Sequence, residues 1–339
     1  MSKSGERARI EAAMQSLHPE GKGPRGMTQG TDTAAPAPIP IAGNVYAVIS
    51  MVVWAAGFPA AELLLDTWDP LAMVLGRFLF ALALLLPLWM LAGGLSGARD
   101  LPWWRGLLVG GVGFGGGAWT MLMAQWFTDP VTTAIIAATT PLAATLIAWW
   151  YDREPLRGSF ILGLAATLLG GLVATGVLTG SDIPTRLGPG ALMAVGSALL
   201  FSWGSYHIVR DMPQADALTR TTLSTLGGLV FIAAAFALFL PFGLTALPPL
   251  PPTPADLGLM AIYGILGFGI SQLAWIAAAG HLGVAVAAFH INIAPFYVML
   301  ILLAMGGSWS WPQAIGAAIV AAGVILAQRR PPPAQGHAR

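Results

Sequence analysis

The chain has 339 residues, of which 56% are hydrophobic and 9% charged, with a net charge of +1 and no cysteine. Soluble domains carry roughly 25% charged residues, so this composition excludes a water-soluble globular fold and points to a bilayer. The small net charge, spread over short gaps, excludes a nucleic-acid-binding stripe, and the missing cysteines exclude a disulfide framework and thiol chemistry.

Residues 1–40 mix Gly, Pro, Ala and Gln with scattered charge and show no helical periodicity, so they are expected to form a disordered cytoplasmic tail. They are not a signal peptide, because no apolar core follows the basic start until near Ile41. Ten apolar runs come next, each close to the roughly 20 residues a helix needs to cross about 30 Å of hydrocarbon. Their expected bounds are 43–65, 70–92, 106–127, 130–150, 158–178, 187–209, 217–240, 257–279, 282–305 and 312–328. None alternates apolar and polar residues as a barrel strand would, which makes the fold class an all-α membrane protein of ten transmembrane helices.

In the first run Trp54, Phe58 and Glu62 share a face at i, i+4 and i+8, and Pro59 interrupts the helix. The second run holds Arg77. Glu62 and Arg77 are the only ionised residues clearly inside runs, both toward the outer leaflet. They read as an ion pair fastening the first two helices, or with Glu62 as a proton-coupling carboxylate. In the third run Trp119 and Met123 stack beyond the glycines of 110–117, and in the fourth Pro141 breaks the helix. The glycines of 110–117 and 163–171 permit close helix contact; they follow no strand, so a phosphate loop is rejected.

The sixth run places Trp203 before Tyr206 and His207, and the eighth aligns Gly264, Phe268, Ser271 and Trp275. In the ninth, Phe289, Asn292 and Phe296 share a side beside His290, and Pro295 interrupts the helix. Polar groups at that depth are costly and face a bundle interior or an aqueous cavity. Trp103, Trp104, Trp126, Trp149, Trp150, Trp309 and Trp311 lie near run ends and read as interfacial anchors. Trp54, Trp119 and Trp203 are nearer mid-depth, where packing and cavity lining are both open. The three prolines Pro59, Pro141 and Pro295 serve as hinges or as kinks fixed for packing.

The halves overlay. An offset of 147 places Gly57 on Gly204 and Asp69 on Asp216. An offset of 154 places Gly113, Phe114 and Gly115 on Gly267, Phe268 and Gly269, and Pro141 on Pro295; an offset of 153 brings Gly163 and Gly170 onto Gly316 and Gly323. Five passes per half is an odd number, so the second half enters from the opposite side, giving a 5+5 inverted repeat around a midplane site. The expected organisation is tail 1–40, first repeat 41–178, external linker 179–186, second repeat 187–328 and tail 329–339. Lys3, Arg7, Arg9, Lys22 and Arg25, then Arg99 and Arg105, Arg153 and Arg157, Arg210 and Arg220, and Arg329, Arg330 and Arg339 occupy alternate gaps. Only Arg186 lies in an opposite gap, so the positive-inside bias predicts both termini in the cytoplasm.

The five-plus-five plan, the Trp54-Ala-Ala-Gly57 segment, the Asp69-Pro70 to Arg77 start of the second run, and Pro141 followed by Asp152-Arg153-Glu154 resemble the EamA-type drug/metabolite transporter superfamily. The likeness covers about residues 41–328. It departs in the second half, where Gly306-Gly307-Ser308-Trp309 offers no acidic match for Glu154. The resemblance implies a central cavity lined by passes 1, 3, 4, 6, 8 and 9, with passes 5 and 10 at the periphery. Within the superfamily the aromatic-rich character resembles exporters of aromatic amino acids.

The faces bearing Trp54, Phe58, Trp119, Met123, Trp203, Tyr206, Ser271, Trp275, Phe289, His290 and Asn292 are expected to converge on a wide, weakly polar, uncharged chamber. The functional expectation is a bacterial inner-membrane exporter of neutral or zwitterionic amphipathic metabolites, best matched by aromatic amino acids, working by alternating access. Export or import of other hydrophobic solutes such as a drug or nucleobase, and a channel-like pore, are the alternatives. An intramembrane enzyme would need a catalytic constellation that five His and no Cys do not supply. The expected partners are a small-molecule substrate and the lipid bilayer, with no cofactor and no metal. Loose glycine patterns do not fix the oligomeric state, and a monomer is compatible with them.

Overall fold

The computed structural model describes residues 41–153, 156, 158–174 and 187–327. The two tails, the linker 179–186, and Glu154, Arg157 and Arg186 lie outside the described residues, as do the side chains of Leu187, Ala285, Phe289 and Ala327. Among the described residues there is no strand. Ten helical rods follow one another: α1 (Ile41–Leu65), α2 (Pro70–Leu91), α3 (Trp103–Phe127), α4 (Pro130–Asp152), α5 (Gly158–Ala174), α6 (Leu187–Arg210), α7 (Ala217–Phe239), α8 (Pro254–Leu282), α9 (284–304) and α10 (Trp311–Ala327). Seven of them are long and apolar enough to cross a membrane; α5, α10 and the apolar part of α9 are shorter.

Helix starts are written in the sequence as an acidic or hydroxyl cap followed by proline, which needs no hydrogen-bond donor in the first turn. Asp69 accepts the Leu71 amide at 2.9 Å, and Asp129 accepts those of Val131 and Thr132, both at 2.9 Å. Thr253 and Asp256 cap each other's amides at the head of α8. The end of α8 is set by Gly283, whose φ of 78° suits glycine and penalises other residues.

Contacts between helix ends sort those ends into two groups. At one end of the bundle Asp69 of α2 accepts the hydroxyl of Thr245 just past α7, Asp129 of α4 accepts Gln313 of α10 at 3.1 Å, and Glu62 of α1 accepts Gln125 of α3 at 3.0 Å. At the other, Tyr46 of α1 stacks on His281 of α8, Trp89 of α2 donates to Thr219 of α7 at 3.1 Å, and Asp152 of α4 pairs with Arg210 of α6. Successive helices therefore run in alternate directions, as short connections require.

The two halves meet about a pseudo-two-fold axis, which shows in contacts that survive exchange of the halves. Gly57 of α1 lies against Gly267 of α8, and their repeat mates Gly204 of α6 and Gly113 of α3 lie against each other. Ser50 donates to the Ser271 carbonyl at 2.9 Å; the mates of that pair are Ser197 and Gly117, and Ser197 donates to the Gly117 carbonyl at 2.7 Å. Gly264 abuts the Arg77 backbone as Gly110 abuts that of Ser224, its counterpart. On the flank, α5 and α10 pack through Gly170 on Gly316 and Gly163 on Gly323, again an exchanged pair. Small residues at each crossing let backbones touch where lipid offers no hydrophobic drive to associate.

Four helices carry breaks at matching places. Residues Gly110–Gly116 of α3 and Ile262–Ile270 of α8 are π-helical, a wider turn that shifts the register of everything after it. In α4 the ladder breaks at Ala138 and Thr139 and restarts at Thr140 with Pro141; in α9 a 3-10 segment, Ala288–Ile293, precedes the restart at Ala294 with Pro295. Proline thus sits in the first turn of a new helix at both sites, where its missing amide costs nothing. At the α4 break the Ala137 carbonyl, which faces Pro141 and so lacks an amide partner, is taken by the Thr140 hydroxyl at 2.5 Å, while the Ile136 carbonyl accepts both the amide and the hydroxyl of Thr139, at 3.0 and 2.7 Å. Pro59 lies within continuous α1.

Candidate functional site

Between the halves, on the pseudo-two-fold axis, lies a cavity of about 60 Å³. Its walls are repeat mates: Ser50 with Ser197, Met51 with Ala198, Trp54 with Phe201, Phe114 with Phe268, Gly117 with Ser271, Ala118 with Gln272, and Met121 with Trp275. Only Arg77, Thr140 and Ile291 stand outside such pairs. The close glycine crossings and the reciprocal serine bonds fix the backbones around it, and the π turns aim the side chains of α3 and α8 inward. Trp275 is held by its indole donating to Ser205 at 3.1 Å, and Phe201 packs on both Phe114 and Trp275.

The expected wide, uncharged chamber is corrected on both counts. Ligand pockets for drug-sized molecules hold roughly 300–1,000 Å³, so this conformation is closed around its centre. It also contains a cation. Arg77 is 5% exposed, donates to the Tyr263 hydroxyl at 3.3 Å and the Gly267 carbonyl at 3.0 Å, and lies 4.4 Å from the Tyr263 ring centroid and 5.0 Å from that of Phe268. Glu62 is exposed and bonded to Gln125, so the expected Glu62–Arg77 ion pair does not form. The reason is direction: Arg77 turns from α2 toward α8, while Glu62 sits at the end of α1 beside α3. Gln125 also donates to the Phe58 carbonyl at 2.9 Å. A crevice of about 10 Å³ lies between Arg77, Phe58, Gln125 and Tyr263, and shares Trp54, Arg77 and Met121 with the central cavity.

Of the residues singled out in the sequence, Trp54, Ser271 and Trp275 line the central cavity and Phe58 the crevice beside it. Trp119, Met123, Trp203 and Tyr206 do not line it. Residues two apart on a helix differ by about 200° of rotation, so Met121 and Phe201 face the centre while Trp119, Met123 and Trp203 face away. Trp119 packs on Phe239, and Trp203 donates to the Tyr151 hydroxyl at 3.0 Å. Tyr206 instead lines a second cavity, of about 390 Å³, with Asp152, Ser202 and Arg210. There it donates to Asp152 at 2.7 Å and contacts Arg210, which pairs with Asp152 at 2.6 Å. Ser202, donating to the Thr140 carbonyl at 3.3 Å, stands between the two cavities.

In α9 the inward residue is Ile291. His290 is bonded through Nδ1 to the Ala287 carbonyl at 3.2 Å, and Asn292 is buried away from the central lining with its Oδ1 unpartnered. The 3-10 turn explains the slip, since three residues per turn move each side chain by about 20° per residue from its α position. Sequence reasoning passed over Phe201, Met121, Ser50, Ser197, Gln272 and the second-helix contribution of Arg77. The signal that finds most of them was present: the offsets of 147 and 154 carry Trp54 to Phe201 and Trp275 to Met121. Among the described residues no group of His, Cys, Asp and Glu is arranged to hold a metal.

Residues 41–176 and 188–328 each match the EamA-like transporter family. No curated protein matches the chain. A solved structure titled "Crystal structure of protein" is similar at a TM-score of 0.63 and 22% identity, covering 85% of this chain and 96% of its own, which is a likeness of fold.

Proposed function

Since the chain belongs to the EamA-like transporter family and is a multi-pass membrane protein that transports small molecules, we propose that it exports amphipathic metabolites, aromatic amino acids foremost, by alternating access about the central cavity. The observation that carries this reading is the cavity itself: aromatic walls contributed in mated pairs by two exchangeable halves, the arrangement that lets one site face either side in turn. The paired breaks at Pro141 and Pro295 supply hinges in equivalent places, one in each half.

In this reading all ten helices cross. The mixed α9, with six residues rising about 2.0 Å each and the rest about 1.5 Å, has a path of roughly 34 Å. The shorter α5 and α10 pack on each other at the flank. The arginine-bearing end, with Arg210 and Arg153, faces the cytoplasm of a bacterial inner membrane, both termini lie on that side, and the Glu62 end faces outward. The larger Tyr206 cavity is then the cytoplasmic approach, and the Phe58, Gln125 and Tyr263 layer is the closed outer gate. In this reading the halves part to admit substrate, since the central cavity of about 60 Å³ is well below the size of a drug-sized ligand pocket.

The test is flux of labelled phenylalanine, tyrosine and tryptophan in proteoliposomes, with and without an imposed pH gradient. Saturable movement stimulated by counter-substrate and weakened by Trp54→Ala or Trp275→Ala supports the reading. Non-saturable flux, or no movement of any of the three, overturns it.

A further inference from the structure

We propose that Arg77 and Gln272 form a carboxylate-binding site inside the central cavity, so that the protein selects aromatic solutes bearing an anionic oxygen group. This rests on the transport reading above for its substrate frame, and on two orphan donors for its chemistry. Arg77 Nε and Gln272 Nε2 are both buried without a hydrogen-bond partner, and both residues line the same cavity. They are 5% and 3% exposed.

Buried donors without acceptors are rare, and each costs the desolvation of its N–H unless something outside the protein chain completes it. The cost is greater for Arg77, since hydrogen bonds to a charged donor are the stronger ones to forgo. Neither of the two ion pairs found among the described residues includes it. What surrounds it is two rings and two neutral acceptors, the Tyr263 hydroxyl and the Gly267 carbonyl. These contacts clamp the plane of the guanidinium and soften its burial, yet none brings a negative charge and none uses Nε. A cation held in place with its Nε–H unpaired, and an unpaired amide N–H of Gln272, thus belong to the lining of one cavity. Their complement is an acceptor with charge, which a substrate carboxylate supplies through charge-assisted bonds.

The repeat shows that the feature is specific to one half. The counterpart of Arg77 is Ser224, and that of Gln272 is Ala118, neither of which offers a cation or an amide. The aromatic walls are mated across the axis and therefore do not distinguish one end of a ligand from the other; Arg77 and Gln272 do. The carboxylate is held at their side, and the ring is left to Trp54, Phe201 and Trp275.

The test measures binding to the purified full chain of three probes sharing one ring and differing in their charges: 3-phenylpropionate, phenylalanine and phenethylamine. The two carboxylates are expected to bind at least about tenfold more tightly than the amine. Arg77→Gln is expected to erase that preference, Arg77→Lys to retain part of it, and Gln272→Leu to reduce it less. The wild-type comparison needs no variant to fold. Equal or tighter binding of phenethylamine overturns the proposal, as does failure of both carboxylates to bind, or a preference unchanged in Arg77→Gln. Flux of the same probes separates this from the transport reading. Carboxylates that bind with preference but are not carried leave the site standing and sink transport of aromatic acids; probes carried without regard to charge do the reverse.

Discussion

The two halves of the bundle are built alike and furnished differently. Around the axis the backbone contacts exchange faithfully: Gly57 on Gly267 answers Gly204 on Gly113, and the Ser50 bond answers the Ser197 bond. The side chains in and near the cavity do not. Where the first half places Arg77, the second places Ser224; where α4 and α6 end in the Asp152–Arg210 pair, the mates of those residues are Gly306 and Leu63. Backbone symmetry is what the proposed alternating access would draw on, and side-chain asymmetry makes the two ends chemically distinct.

The largest expected effect tests the symmetric part. A Cβ at Gly113 would lie 2.6 Å from the Gly204 Cα, whereas one at its mate Gly267 would lie 3.0 Å from the Gly57 Cα. Backbone cannot yield as a side-chain end can, so Gly113→Ala is expected to destabilise by about 2–3 kcal/mol and Gly267→Ala by about 1 kcal/mol. Thermal unfolding of the two variants in the same detergent checks the ranking. Equal losses would mean that the two crossings are closer to identical than their separations imply.

The next largest effect concerns mated aromatics. Trp54→Ala and Phe201→Ala remove equivalent walls and are each expected to lower substrate binding by about tenfold. Trp203→Ala, on the far side of α6, is expected to leave binding near the wild-type value. A titration of labelled phenylalanine against the three variants decides it, and a loss confined to Trp203→Ala would place the site at the Tyr151 and Tyr206 cluster instead.

How legible this was depends on which physical signal is asked. Helix number and class came from runs of apolar residues, because lipid demands continuous hydrophobic helices and the sequence cannot hide them. The start at Asp69-Pro70 is equally plain, since a cap is a local device. The facing of each helix was not. Periodicity at 3.6 residues per turn fails across the π segments and the 3-10 turn, and in a bilayer large aromatics sit as comfortably against lipid or a flanking helix as in a cavity. Trp119 and Trp203 stand out by size, whereas Ser50, Met121 and Gln272 carry no mark except their place in the repeat. Arg77 bonds Tyr263 and Gly267 in place of the expected Glu62, because depth along a helix is legible in the sequence and rotation about it is not.

A smaller effect sharpens the comparison at the serines. Ser50→Ala and Ser197→Ala each delete one interhelical bond to a buried carbonyl, and each is expected to cost about 0.5–1 kcal/mol. The double variant tests whether the halves act independently: losses that add within about 0.5 kcal/mol describe two separate clamps. A combined loss well above the sum would show that either bond alone holds the axis closed.

The smallest expected change in stability is at the ion pair found at only one end. Arg210 and Asp152 are 56% and 38% exposed, so solvent screens their attraction, and Arg210→Ala is expected to leave thermal unfolding unshifted. Its effect belongs to access. The pair joins α4 to α6 and lines one cavity together with Ser202, whose hydroxyl bonds the carbonyl of Thr140 in the wall of the central cavity. Because the chain has no cysteine, a single Ser202→Cys reports on that cavity with no background. Reaction of this thiol with a charged methanethiosulfonate reagent is expected to quicken by about two- to threefold when Arg210→Ala is added. An unchanged rate would mean that the Tyr206 and Asp152 bond suffices to hold α4 and α6 together, and that the asymmetry of the two ends lies at Arg77 alone.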